Sequence, residues 1–158
     1  MRALAKRDVV ARILVFVLAL GLWSCTSMQT DLAPGGELKS YKRAYIEALP
    51  QDEFQIYRAL YHELNDMGME VVGVPFKNPT ASDLVVKYSY DAGWDVTRYL
   101  QAFQIRFMDA KSGRVVAVSS FRSRGVWLGV RDQRLETAFN DLRAKNGYPP
   151  TRQFQTKQ

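Results

Sequence analysis

Apolar and polar positions along this chain fall into two periods, and the change from one to the other marks the elements. Tyr41, Tyr45 and Ile46 in SYKRAYIEALP, closed by Pro50, read as a strand. Phe54, Tyr57, Leu60, Tyr61, Leu64 and Met67 then follow at helical spacing, with Gly68 placed to end the helix. Asp52, three residues before Gln55, has the spacing of a capping box. MEVVGVP is a short apolar run stopped by Pro75, and KNPTAS supplies turn chemistry.

Strict alternation begins at residue 84. Leu84, Val86, Tyr88 and Tyr90 share one face, with Val85, Lys87, Ser89 and Asp91 on the other. The next strand sets Tyr99, Gln101, Phe103, Ile105 and Phe107 against Leu100, Ala102, Gln104, Arg106 and Met108. DAKSGR is a hairpin turn with Gly113 available for a positive φ, and RVVAVSSFRS forms the last strand. Leu135, Ala138, Phe139 and Leu142 give a final helix at i, i+3, i+4 and i+7, closed by Asn146-Gly147 and Tyr148-Pro149-Pro150. The expected order is β-α-β-β-β-β-α. The few residues between strands from 83 to 124 permit only antiparallel hairpins. The fold class is therefore α+β: a mostly antiparallel sheet of about five strands with two helices on one face.

The N-terminus has a different grammar. Residues 1–12 carry Arg2, Lys6, Arg7 and Arg12 against Asp8, and the next eleven, ILVFVLALGLW, are uncharged. A basic stretch, a short apolar run and small residues after it make a secretory signal. A membrane-spanning helix needs about 20 apolar residues, and Arg12 bounds this run short of that. Leu22-Trp23-Ser24-Cys25 then resembles the lipobox of bacterial lipoproteins, with Leu22 and Ser24 at the family's positions and Trp23 where a small residue is usual. That resemblance implies cleavage before Cys25 and lipid on its thiol. Thr26 after it resembles the class sorted to the outer membrane; the alternatives are an inner-membrane lipoprotein or a soluble periplasmic protein.

The domains expected are a signal peptide at 1–24, a lipidated N-terminus and flexible tether at 25–37, a domain at 38–150 and a disordered tail at 151–158. The chain holds one cysteine in 158 residues, so no disulfide supports the domain within one chain. Its formal charge of +6 also shrinks, because residues 1–24 hold four basic residues and one acid. With 18 basic and 15 acidic residues left, the mature charge is +3, poor support for nucleic-acid binding.

Strand, helix ending LxxxG (Leu64 to Gly68), SDLVVKY, the D-x-K-S-G-R hairpin and a helix ending YPP together resemble small bacterial envelope lipoproteins. Their fold looks like the N-terminal domain of TolB and the periplasmic domain of the curli secretion lipoprotein CsgG. The likeness covers residues 40–150 and implies an envelope protein within an assembly. It supplies no catalytic residues.

Candidate chemistry is sparse. His62 is the only histidine, which leaves triads and most zinc sites unsupported. No calcium-loop or phosphate-loop spacing occurs. Asp91 and Asp95 flank Ala92-Gly93-Trp94 in what reads as a loop; a turn explains them, and a glycosidase pair is the chemical alternative. FRSRGVWLGVR places Arg122, Arg124 and Arg131 around Trp127 and Leu128, a combination suited to a headgroup region, an anionic glycan or a protein, as does Trp94. The expectation is a lipid-anchored, non-catalytic envelope binding or assembly component. It would have no metal and no cofactor beyond lipid on Cys25. Its partners would be the membrane and an envelope protein or itself. Alternatives are an accessory subunit of a secretion or polysaccharide-export ring, and a glycan-acting enzyme using Asp91 or Asp95.

Overall fold

In the computed structural model, residues 26–73, 81–123 and 131–154 are described. They form β1 (Thr26–Leu32), a 3-10 turn (Leu38–Ser40), β2 (Arg43–Glu47), α1 (Ile56–Asp66), β3 (Glu70–Val71), β4 (Leu84–Asp95), β5 (Thr97–Asp109), β6 (Val115–Ser123) and α2 (Arg131–Lys145). The sheet has six strands in the order β1-β6-β5-β4-β2-β3. β2 runs parallel to β3 and β4, and every other pair is antiparallel. The α+β class holds, with one strand more than the pattern indicated.

That strand is β1, which lies where a flexible tether was expected. Its seven residues pair with β6 from Thr26↔Ser123 to Leu32↔Ala117. Met28, Thr30 and Leu32 face inward, and the polar member is satisfied: Thr30 is buried and its hydroxyl bonds the buried Ser119 at 3.1 Å. The lysine Nζ of Lys145 caps the Thr30 carbonyl on the side away from β6. Gly36 then turns the chain with a backbone approach to the Val116 carbonyl that leaves no room for a Cβ.

One face of the sheet carries the core. Ala44 and Ile46, Leu84, Val86 and Tyr88, Phe103, Ile105 and Phe107, and Ala117 and Phe121 follow each other across the strands. α1 packs over β2 and β3, and α2 over β1 and β6. Leu135, Ala138, Phe139 and Leu142 of α2 are all buried, as their spacing requires. In α1 the buried side is Ile56, Leu60, Glu63 and Leu64, rotated from the aromatic side read in the sequence; Tyr61 is 42% exposed.

The helix start differs for a physical reason. Gln55 adopts φ 53 ahead of Ile56, so Asp52 caps from outside the helix. Its carboxylate accepts from the Ile56 N–H at 2.9 Å and the Tyr57 N–H at 2.6 Å, and is held by the Tyr88 hydroxyl at 3.1 Å. Burial raises the Tyr88 pKa far above the ordinary phenol value, the nearby Asp52 charge adding to it, so this hydroxyl stays a donor. Asp52→Ala is expected to cost about 1–2 kcal/mol, read as a lower urea midpoint at unchanged slope.

Two bulges redirect side chains. Asp91 pairs Ala102 but Ala92 pairs Leu100, so Gln101 is the extra residue on β5. Simple alternation put Leu100 opposite Phe103; the bulge brings both into the core. The buried Arg134 of α2 donates to the Leu100 carbonyl and lies 5.5 Å and 5.6 Å from the Tyr99 and Phe121 ring centres. A second shift makes both Val116 and Ala117 buried.

The end of the chain is also ordered further than expected. Residues 151–154, assigned to a disordered tail, lie back on the helices. Thr151 is buried, and Phe154 stacks on Phe139 at 6.2 Å. Asp109 closes the β5–β6 turn by accepting from the N–H and hydroxyl of Ser112, both at 2.7 Å. Those donors hold its pKa below the ordinary carboxylate value. Gly113 takes the expected positive φ of 70.

Candidate functional site

Among the described residues no helix covers the second face of the sheet over β1, β6, β5 and β4, and register across those four strands sets its chemistry. Gln29, Ser120, Gln104 and Ser89 lie in one row on β1, β6, β5 and β4. The next row toward the chain's entry end is Ser27, Arg122, Ala102 and Asp91; the row on the other side holds Asp31, Val118, Arg106 and Lys87. A shallow trough of about 420 Å³ runs over the first two rows. Amides and hydroxyls dominate it, with Arg122 and Asp91 as its charged edge, 3.7 Å apart. Lys87 pairs with Glu47 at 2.8 Å.

Asp91 and Asp95 sit on β4 itself, a correction to the loop reading. Strand pairing continues to Asp95↔Thr97 because Gly93 lets the Tyr99 ring lie against the backbone; a Cβ there would come within 2.3 Å of that ring. Four residues along an extended strand separate their backbones by about 13 Å, whereas paired glycosidase carboxyls stand about 5–9.5 Å apart. The Asp91 side chain is 66% exposed and pairs with Arg122, itself 59% exposed.

At the turn between β4 and β5 the surface changes character. Trp94 is 74% exposed and Val96 is 94% exposed. Val96 also holds φ 57, a region β-branched residues avoid at a cost of about 1–2 kcal/mol. Arg98 beside them is paired with Glu53 at 2.9 Å. Trp94 was singled out by residue type; Val96 was not, since neither its exposure nor its backbone has a sequence signal.

Of the other expected contacts, Arg122 lies on the polar face, and Trp94 is three positions along β4 past its partner Asp91. Arg131 opens α2. Cys25, Arg124, Trp127 and Leu128 lie outside the described residues. His62 is exposed and packs edge-on against Tyr61 at 5.7 Å. Among the described residues no group of three acids, histidines or cysteines could hold a metal, and no helix is long and apolar enough to cross a membrane.

This defines the class as a two-layer α+β domain that, among the described residues, has an uncovered polar sheet face and a hairpin tip exposing Trp94 and Val96. No family model and no curated protein matches the chain. Among solved structures it is similar to the PelC dodecamer from Paraburkholderia phytofirmans, with a TM-score of 0.51 and 11% identity over 79% of this chain and 100% of that one. A variant of the same protein in another crystal form gives 0.50 and 10%, over 78% and 98%. A PDZ domain protein from Parabacteroides distasonis gives 0.49 and 15%, over 82% of this chain and 37% of that one. At identities this low the two dodecamer structures establish a shared fold alone.

Proposed function

We propose that this protein is a lipid-anchored, non-catalytic binding or assembly component of the bacterial cell envelope, held at the outer membrane through Cys25. The observation that carries the reading is how close the sheet comes to the lipobox-like segment. β1 includes Thr26, the residue after Cys25, so acyl chains on Cys25 would hold one end of the sheet directly at the bilayer. Two or more acyl chains anchor a protein stably, whereas one does so only marginally. The test is the intact mass of the mature protein from a membrane fraction beside a Cys25→Ala version. The expected result is a chain starting at Cys25 and heavier by acyl groups, with the added mass lost and the membrane association weakened in the variant. An unmodified chain from the membrane fraction would overturn the reading.

A ring-forming accessory subunit is the second reading. Its support is the fold shared with a dodecameric protein over nearly the whole domain. Mass photometry in detergent decides it: a discrete multiple of the protomer supports a ring, and a single protomer mass removes it.

A further inference from the structure

We infer that the β4–β5 hairpin tip, Trp94 to Val96, is a second membrane contact that inserts beside the N-terminal anchor and orients the sheet on the bilayer. The inference rests on the lipid-anchored reading for its geometry, and its test separates the two. The register can be followed from Thr26, the first described residue. Thr26 pairs Ser123; one step inward Arg122 pairs Ala102, and Ala102 pairs Asp91. Ala92 is therefore level with Thr26, and the tip is at the same end of the sheet as the point where the anchored chain enters. Val96 lies four residues beyond Ala92, about 13 Å along the strand direction. A residue immediately before Thr26 would advance only about 3 Å. The tip thus reaches roughly 10 Å deeper than the anchor point, the depth at which apolar groups meet the boundary between headgroups and acyl chains.

The two residues flanking the centre of the tip suit that depth. They are an indole, enriched at membrane interfaces, and a valine held outward in a strained backbone, with Asp95 between them as the tip's one charged residue. Among the described residues beside the tip, Arg98 is matched by Glu53 and Arg122 by Asp91. Docking would then be driven by apolar insertion, with little dependence on salt. A protein partner could also cover an exposed tryptophan, but the position of the tip past the anchored end of β1 favours lipid.

The experiment uses full-length protein purified from membranes and reconstituted into phosphatidylethanolamine–phosphatidylglycerol vesicles, some carrying bromine high on the acyl chains. Comparing Trp127→Phe with Trp127→Phe/Trp94→Phe isolates the Trp94 emission. The expected result is Trp94 emission quenched by the brominated lipid, and less quenched in Val96→Ser. In flotation, Cys25→Ala protein should still partition weakly onto the vesicles. Trp94→Ser should lower that partition roughly tenfold at unchanged melting temperature, the effect of losing one partly inserted large apolar side chain. Trp94 unquenched in vesicle-bound, acylated protein would overturn the inference. So would emission that is blue-shifted yet unquenched, which would mean a second copy covers the tip. Mass spectrometry of the same sample reports the state of Cys25 independently: quenching in an unacylated chain would sink the anchor and leave the tip.

Discussion

Replacing Arg143 by alanine is expected to destabilise the domain by about 3–5 kcal/mol, as breaking a buried ion pair from one side does. Arg143 is 1% exposed and meets Glu63, also 1% exposed, across the two helices. It also pairs with Asp66 and donates to the Pro149 carbonyl at 2.8 Å. Glu63 in turn accepts from the Thr151 hydroxyl and the Gln153 amide, both at 2.7 Å. Burial works against the Arg143 charge, but Glu63 and then Asp66 outweigh it and hold its pKa above the ordinary arginine value. Both ions therefore lie in a site with little water, and removing one leaves the other uncompensated. Thermal melting and urea unfolding read the loss directly. Glu63→Leu with Arg143→Met should recover most of it, because two apolar groups leave no orphan charge. If the alanine variant melts like the parent, the network adds nothing, and the C-terminal segment is held by Phe154 and by its bonds to Asn140 and Ala59.

The same network shows what a sequence pattern hides. Charged residues on helices are read as a solvated face, so Glu63 and Arg143 offered no sign that they meet across 80 positions. Where the inward residues were apolar the reading worked: β4 and α2 have their expected buried sides, because hydrophobic burial leaves a local period. β1 failed that test. Its inward positions are Met28, Thr30 and Leu32, and Thr30 becomes an inside residue only once Ser119 lies opposite. Leu100 failed for another reason, since one extra residue in β5 reverses a period of two.

The candidate surface was legible by residue type and illegible by position. Trp94 drew attention as an aromatic beside acids, yet its value lies in its place three residues past Asp91 on the strand end that β1 shares. Gln29, Ser89, Gln104 and Ser120 are unremarkable separately. Only the register aligns them into one uncharged polar row. Each strand's solvent side could be read alone, but the order of strands in the sheet could not.

Gln29→Pro is expected to cost about 2–4 kcal/mol, although Gln29 lies where a tether was anticipated. The Ala33 N–H donates to the Val116 carbonyl at 2.8 Å. In an antiparallel pair, residues facing the partner recur at every second position, so the backbone groups of Asp31 and Gln29 also point at β6. Proline at 29 removes a ladder donor and leaves a β6 carbonyl without it. Ser120, which reaches the Gln29 carbonyl at 3.3 Å, would shift as well. Gln29→Ala is the matched control, since it truncates the same exposed side chain but keeps the N–H. Melting temperatures of the pair separate the two readings: a tether predicts no loss from either, and a strand predicts that only the proline is costly. The result also bears on orientation. If β1 stays paired, a lipid on Cys25 holds the sheet end close to the bilayer and brings the Trp94 tip within reach. If β1 were loose, twelve residues of slack would free the domain from any fixed attitude.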